Sequence, residues 1–314
     1  MPKNSSTKNK TTDQPRKLKV SNYSSFKLQK KVTPTLSKIP SSFKLFKQSI
    51  KVLTGHWKLF LGIAAVMALL NFIMAQGFFS VDLSSTKDSL SATMSGFWGK
   101  LGGGVSLLSY LAGNTGGTGS DATSAYRIIL TVIGSLATIW ALRLVISEPG
   151  VKARIRDSFY EGMYPLIPFV LVFLVILVQI IPIAIVTYFY SVAGAVSGVE
   201  VALWFVVFAF VGIFSLYMVC SSVFALYIAC LPGMSPMAAL KSARALVRYR
   251  RLIVIRRLLF LPLVLAIILG IILIPILLTV TALAVWIFFI LVMIGLPVIH
   301  SYMYALYRSL LHEE

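Results

Sequence analysis

An almost unbroken apolar run from Leu258 to Ile299 contains no charged residue. As a single helix rising about 1.5 Å per residue it would be about 63 Å long, roughly twice the hydrocarbon core of a bilayer. The run must therefore fold back on itself. We predict the turn within "LLTVTAL", residues 277–283, where Pro275 precedes two β-branched threonines. This part of the chain thus predicts two membrane-crossing helices.

Four further apolar stretches are long enough to cross a bilayer. The composition agrees with this interpretation, since 58% of the residues are hydrophobic and 12% are charged, whereas soluble domains carry about 25% charged residues. We predict an all-α integral membrane protein with six transmembrane helices. These spans are expected at about 59–79, 126–146, 165–190, 202–230, 258–279 and 281–303.

The remaining segments differ sharply from the spans in composition. Residues 1–40 are rich in Lys, Ser, Thr and Pro, which predicts a disordered basic tail that buries too little apolar surface to fold. Residues 41–314 are expected to form the membrane domain, with an external Gly- and Ser-rich loop at about 80–125. The start has no apolar core of a signal peptide. The first span is therefore expected to act as an uncleaved anchor.

The Lys and Arg residues predict the orientation. Of the 29 in the chain, 26 fall in the tail and the loops on one side of the predicted spans, and only Lys87, Lys100 and Arg127 fall on the other. The side that retains positive charge is normally cytoplasmic, so both termini are expected inside. Because Arg16 is the only arginine before the first span, a prokaryotic plasma membrane is favoured over a mitochondrial destination. Positive charge placed beside apolar spans also favours anionic lipid over nucleic acid as its partner.

An internal repeat is visible when residues 42–62 are laid over residues 235–255. This overlay pairs Ser42 with Ser235, Ser49 with Ser242, Lys51 with Arg244, Leu53 with Leu246, Lys58 with Arg251 and Leu59 with Leu252. A weaker third copy lies at residues 148–169. Each copy precedes a pair of spans, which predicts a three-unit pseudo-repeat of one amphipathic interfacial helix followed by a helical hairpin.

Each copy has an apolar stripe with basic residues beside it. The stripes are Leu240, Ala243 and Val247 in one copy, Phe43, Phe46, Ile50 and Leu53 in another, and Val151, Ile155 and Phe159 in the third. Ser235 suits a helix N-cap and Pro236 the first helical position. Helices of this kind lie in the membrane interface. The candidate anionic-lipid-binding residues are therefore Lys44, Lys47, Lys51, Lys152, Arg156, Lys241, Arg244, Arg248 and Arg251.

The run "SPMAALKSARALVRYRR" before a hydrophobic hairpin, and the ending "YMYALYRSLL", occur within residues 42–311. These segments resemble the six-span membrane domain of some bacterial glycerophosphoryl diester phosphodiesterases and of its stand-alone relatives of unknown function. The resemblance implies the membrane scaffold without the phosphodiesterase, because no soluble catalytic domain is expected before the chain ends at Glu314.

The residues needed for catalysis within the membrane are missing from the sequence pattern. The acidic residues lie outside the cores of the predicted spans, and His56, His300 and His312 are not in a metal-binding spacing. Cys220 and Cys230, about 15 Å apart along one predicted helix, cannot pair. We therefore expect a protein that is not an enzyme and needs no cofactor or metal.

Four polar residues mark a possible intramembrane polar site, namely Asn71, Gln76, Gln179 and His300. Packing between helices explains such groups more simply than a transport pathway. His300 is expected at the inner interface, with Tyr302, Tyr304 and Tyr307 forming an aromatic belt. The leading hypothesis is a membrane scaffold or accessory protein that engages anionic lipids. The alternative is a transporter or lipid-translocating protein, because prolines interrupt several spans.

Overall fold

The computed structural model describes residues 40–74, 121–147, 153–193 and 198–311. The predicted tail, most of the external loop and two candidate residues, Gln76 and Lys152, lie outside these ranges. The described part of the chain is helical and contains no β-strand. Its helices are α1 (Ser42–Gly55), α2 (Trp57–Met74), α3 (Asp121–Ser147), α4 (Ile155–Gly162), α5 (Leu166–Ala193), α6 (Gly198–Ala229), α7 (Pro236–Val247), α8 (Arg251–Thr279) and α9 (Thr281–Leu311).

Six of these helices are long and apolar enough to cross a membrane, which confirms the predicted number of spans. The protein is thus an all-α polytopic membrane protein. The fifth span begins seven residues earlier than predicted, at Arg251, because the arginines at 256 and 257 continue the helix. The last span continues to Leu311 because its final turns pack into the core through Leu306 and Leu310.

The predicted fold-back between the last two spans is confirmed at Val280. This residue leaves helical geometry, with φ −135° and ψ 88°, and its N–H donates to the carbonyl of Ile276 at 2.8 Å. The Thr279 hydroxyl donates to the carbonyl of Pro275 at 3.0 Å. Local hydrogen bonds therefore satisfy part of the backbone where α8 ends.

The three short helices α1, α4 and α7 each precede a pair of long helices, as the three-unit pseudo-repeat predicts. Each short helix packs on the second long helix of the preceding unit: α4 on α3, α7 on α6, and α1 on α9. The last of these contacts joins the first unit to the third. The three units therefore close into a ring.

The register of the repeat differs from the sequence overlay by one residue. The first long helices of the units begin at Trp57, Leu166 and Arg251. Eight residues before each start lie Ser49, Ser158 and Ala243, which are 1%, 0% and 0% exposed. The overlay had paired Ser49 with Ser242, which is exposed. The overlay compared residue types alone, which do not distinguish the inner face of a helix from its outer face, whereas close helix packing requires small residues on the inner face.

Close backbone approach explains why these inner positions are small. In the contact of α1 with α9, the Ser301 hydroxyl donates to the carbonyl of Ser49 at 3.2 Å. In the contact of α4 with α3, a Cβ added to Gly162 would lie 3.1 Å from the Cα of Ala137 and 3.2 Å from the carbonyl oxygen of Leu136. Larger side chains would push the short helices away from the bundle.

The three seams of the ring, where one unit meets the next, are not equally closed. At the second seam α6 packs on α8, and at the third seam α9 packs on α2. At the first seam α3 and α5 contact each other less than either of these pairs. Relative to the long helix that follows, α4 also begins four residues, one helical turn, later than α1 or α7. The first seam is the open one.

Candidate functional site: the basic end of the bundle

The short helices and most of the charge lie at one end of the bundle, which we call the basic end. Every described Lys and Arg except Arg127 lies there, because this end holds α1, α4, α7 and the adjoining ends of all six spans. The described carboxylates at this end are Asp157 and Glu161. A strongly positive surface therefore forms where the short helices cover the bundle.

The predicted faces of α7 are confirmed. Leu240, Ala243 and Val247 are 7%, 0% and 0% exposed, and they pack in the hydrophobic core. The Ser235 hydroxyl accepts the N–H of Ala238 at 3.3 Å, and Pro236 occupies the first helical position. Lys241, Arg244 and Arg248 are exposed on the outer side.

The inner face predicted for α1 is wrong in part. Phe43, assigned to the apolar stripe, is 70% exposed, whereas Leu45 and Ser49 are each 1% exposed. The Ser41 hydroxyl accepts the N–H of Lys44 at 3.4 Å, so the helix starts one residue earlier than the repeat implied. The three candidate residues on α1, Lys44, Lys47 and Lys51, are exposed.

The other candidate basic residues have different environments. Arg156 on α4 is exposed. Arg251 is half-buried, and its guanidinium carbon lies 4.4 Å from the ring centroid of Tyr217. This cation–π contact holds the Arg251 side chain against α6. The structure thus leaves seven of the nine candidates exposed on the short helices and separates Arg251 from that set.

Sequence reasoning missed two buried arginines. Arg250 and Arg257 are 9% and 5% exposed, although the charge pattern placed the whole basic stretch in a loop on the cytoplasmic side of the spans. The Tyr302 hydroxyl donates to the carbonyl of Arg257 at 3.0 Å, which ties α8 to α9 at this point. Periodicity offered a signal: Val247, Arg250, Val254 and Arg257 follow helical spacing on the buried side.

The predicted aromatic belt at the end of α9 is wrong. Tyr302, Tyr304 and Tyr307 are buried, because they face α6 and α8 within the bundle. Tyr227 of α6 lies against His300, Tyr304 and Tyr307. The Tyr227 hydroxyl and the Nδ1 of His300 share a hydrogen bond of 3.0 Å. His300 is therefore hydrogen-bonded to a neighbouring helix, which agrees with a packing role.

The described polar candidates within the spans lie on three different helices, Asn71 on α2, Gln179 on α5 and His300 on α9. The Nδ2 of Asn71 donates to the carbonyl of Met67 at 2.9 Å and lies 3.8 Å from the sulfur of Met293. The Nε2 of Gln179 donates to the hydroxyl of Ser222 at 2.8 Å. No hydrogen bond joins Asn71, Gln179 and His300 to one another. Within the described chain, these three residues tie neighbouring helices together.

A cavity of about 570 Å³ opens at the first seam, and sequence reasoning did not find it. Its charged lining residues are Arg143 of α3 and Glu161 of α4. An Arg143 Nη1 lies 3.4 Å from the carbonyl oxygen of Cys230, to which it donates. The other lining residues are Leu136, Ile139, Trp140, Tyr160, Gly162, Met163, Tyr164, Pro165, Cys230 and Pro232.

Comparisons with known proteins give no relative for this arrangement. The chain matches no family model, and no curated protein or solved structure matches it significantly. The resemblance to the membrane domain of glycerophosphoryl diester phosphodiesterases therefore stays a prediction.

Proposed function

We propose that the protein is a non-enzymatic membrane protein that engages anionic lipids through its basic short helices and serves as a scaffold or accessory component. In this proposal the basic end faces the cytoplasm and the membrane is a prokaryotic plasma membrane. The short helices then lie at the headgroup layer of the inner leaflet, which anionic lipids make negative.

The exposed lysines and arginines on the outer faces of α1, α4 and α7 are the observation that carries this proposal. The inner faces of these helices are fixed against the bundle by buried residues such as Leu45, Ser158 and Ala243. The charges are therefore held in a fixed array at the ends of the spans. Each Lys or Arg near an anionic surface contributes about 1 kcal/mol to its attraction.

Native mass spectrometry of the full chain in lipid nanodiscs tests the proposal. The nanodiscs contain phosphatidylglycerol and phosphatidylcholine with the same acyl chains. The test variant is Lys241→Gln/Arg244→Gln/Arg248→Gln, and it leaves Arg251 intact because that residue packs on Tyr217. We expect the wild type to retain phosphatidylglycerol preferentially and the variant to lose most of that preference.

A charge-matched control separates the array from total charge. The variant Lys3→Gln/Lys8→Gln/Lys10→Gln removes the same three charges from the N-terminal segment. It should retain phosphatidylglycerol like the wild type. If both variants lose the preference equally, net charge explains lipid retention, and the proposed role of the short helices is wrong.

The transport alternative has weaker support. It needs a continuous polar pathway, whereas Asn71, Gln179 and His300 each make a separate contact between helices. Pro182, Pro262, Pro275 and Pro297 lie inside continuous helices, which ordinary membrane spans tolerate. Protein-dependent lipid flux in reconstituted vesicles would favour the transport alternative over the scaffold proposal.

A further inference from the structure

The cavity at the first seam has an apolar floor and a charged mouth. Helix α3 runs toward the basic end, so Leu136 lies about 10 Å deeper in the bundle than Arg143, which is seven residues further along. Leu136 and Ile139 are almost fully buried, so the accessible apolar lining comes from half-buried residues such as Trp140 and Met163. Glu161 is exposed, and Arg143 lies near the end of α3. This polarity suits an amphiphile whose headgroup stays at the mouth and whose chain enters between the helices.

The two charged residues at the mouth, Arg143 and Glu161, do not form an ion pair with each other in the described structure, and Glu161 is exposed. The single hydrogen bond from Arg143 to Cys230 leaves most of the guanidinium donors available, because the group carries five. A guanidinium binds a phosphate through two parallel hydrogen bonds. The adjacent Glu161 carboxylate favours a positively charged group on the same ligand.

The aromatic side chains near Glu161 favour the same ligand chemistry. Tyr160 and Tyr164 line the cavity, yet they are 83% and 85% exposed. Aromatic faces attract cations, and a carboxylate accepts hydrogen bonds from a protonated amine. A quaternary ammonium group has no N–H to donate to Glu161, so a primary amine matches this mouth better.

We propose that the first-seam cavity binds a phospholipid whose headgroup carries a phosphodiester and a primary amine. Arg143 binds the phosphate, Glu161 accepts hydrogen bonds from the ammonium group, and one acyl chain packs against Trp140 and Met163. The ligand class and the residues differ from those of the basic array on the short helices. The two proposals can therefore fail independently.

The test is native mass spectrometry of the full chain in detergent micelles that contain equal amounts of phosphatidylethanolamine, phosphatidylglycerol and phosphatidylcholine with matched acyl chains. The wild type should retain phosphatidylethanolamine in preference to phosphatidylcholine, whose headgroup differs only in its quaternary amine. Glu161→Gln should reduce that preference about tenfold, and Arg143→Gln should reduce retention of phosphatidylethanolamine by at least as much. Asp157→Asn is the control, since Asp157 lies on α4 outside the cavity lining and is not one of the basic candidates. This variant should behave like the wild type.

Three outcomes would overturn the proposal. Loss of phosphatidylglycerol rather than phosphatidylethanolamine from the Arg143→Gln variant would make the cavity a site for anionic lipid. An unchanged preference in Glu161→Gln, whose exposed side chain can be replaced without disturbing the core, would remove the amine contact. Displacement of the bound lipid by equimolar water-soluble glycerophosphoethanolamine would show that the acyl chain contributes nothing.

Discussion

The first and third seams of the ring are built from equivalent helices, yet one is open and charged and the other is closed and apolar. At the third seam α1 lies along α9, and the groove beside it measures about 250 Å³ and has no charged lining residue. At the first seam the cavity measures about 570 Å³, with Arg143 and Glu161 at its mouth. The difference shows how one repeat can produce both a packing contact and a ligand-sized opening.

The short helices of these two seams also differ from each other. Helix α1 has 14 residues and a side-chain cap at Ser41, whereas α4 has 8 residues and Arg154 at its N-cap makes no side-chain cap bond. Both helices keep a buried serine at the same repeat position, Ser49 and Ser158. The inner contact is thus shared, and the cavity lies beside the C-terminal end of α4, where Tyr160, Glu161 and Gly162 line it.

The largest expected effect is on the reactivity of Cys230, which borders the open seam. Burial raises the pKa of this thiol to about 12, and the thiol donates to the carbonyl of Leu226 at 3.2 Å. Only the thiolate reacts with maleimide. At pH 8 we expect alkylation of Cys230 to be at least about a hundredfold slower in the folded protein than in the denatured chain.

The pH dependence of this reaction tests whether the pKa of Cys230 is raised. With a raised pKa, the thiolate fraction should increase about tenfold for each pH unit from pH 7 to pH 10. Peptide mass spectrometry after timed labelling distinguishes Cys230 from Cys220. A plateau of the folded-state alkylation rate near pH 8.5 would mean that water reaches the Cys230 thiol freely and that burial does not raise its pKa.

The second prediction concerns the contact that holds α4 in place. Gly162→Val puts side-chain atoms against the backbone of Ala137 and Leu136, so it should destabilise the protein by about 1–3 kcal/mol. Gly212→Val is the matched control, because nothing lies within 4 Å of a Cβ added there. Thermal unfolding in detergent should show a lower midpoint for the first variant only. Equal midpoints would mean that α4 moves away from α3 at no cost.

The third prediction concerns the contact between α6 and α9, which joins the second unit to the third. Tyr227→Phe removes the hydrogen bond to His300 and leaves a buried ring nitrogen without that partner. We expect a loss of about 1–2 kcal/mol in the same unfolding measurement. Tyr304→Phe should change stability less, since the Tyr304 hydroxyl makes no hydrogen bond to the described residues. A larger loss of stability in Tyr304→Phe than in Tyr227→Phe would mean that the hydrogen bond to His300 is not the main stabilising contact here.

Hydropathy and charge sufficed to predict the number of spans, the fold-back at Val280 and the three short helices, because each depends on properties of one chain segment. The N-cap at Ser235 and the buried face of α7 were predicted correctly for the same reason. The face of α1 and the burial of Arg257 were missed, since both depend on how α9 packs against other helices.

The cavity was also beyond sequence reasoning. Arg143 was counted as a topological charge and Glu161 as a surface acid, and nothing in their spacing places them around one opening. Both residues line the cavity at the first seam, where α3 and α5 contact each other only weakly. The cavity therefore depends on contacts between helices that are distant in sequence.

The smallest expected effect tests whether the inner positions of the repeat are interchangeable. The Ser49 hydroxyl donates to the carbonyl of Leu45 in its own helix, while the contact with α9 uses the Ser49 carbonyl. Ser49→Ala should therefore change stability by less than about 0.5 kcal/mol, because the third unit already has Ala243 at this position. Ser49→Leu, which overfills the same contact, should cost about 1–3 kcal/mol. If alanine were as harmful as leucine, the seams would differ in their inner contacts as well as in the length of their short helices.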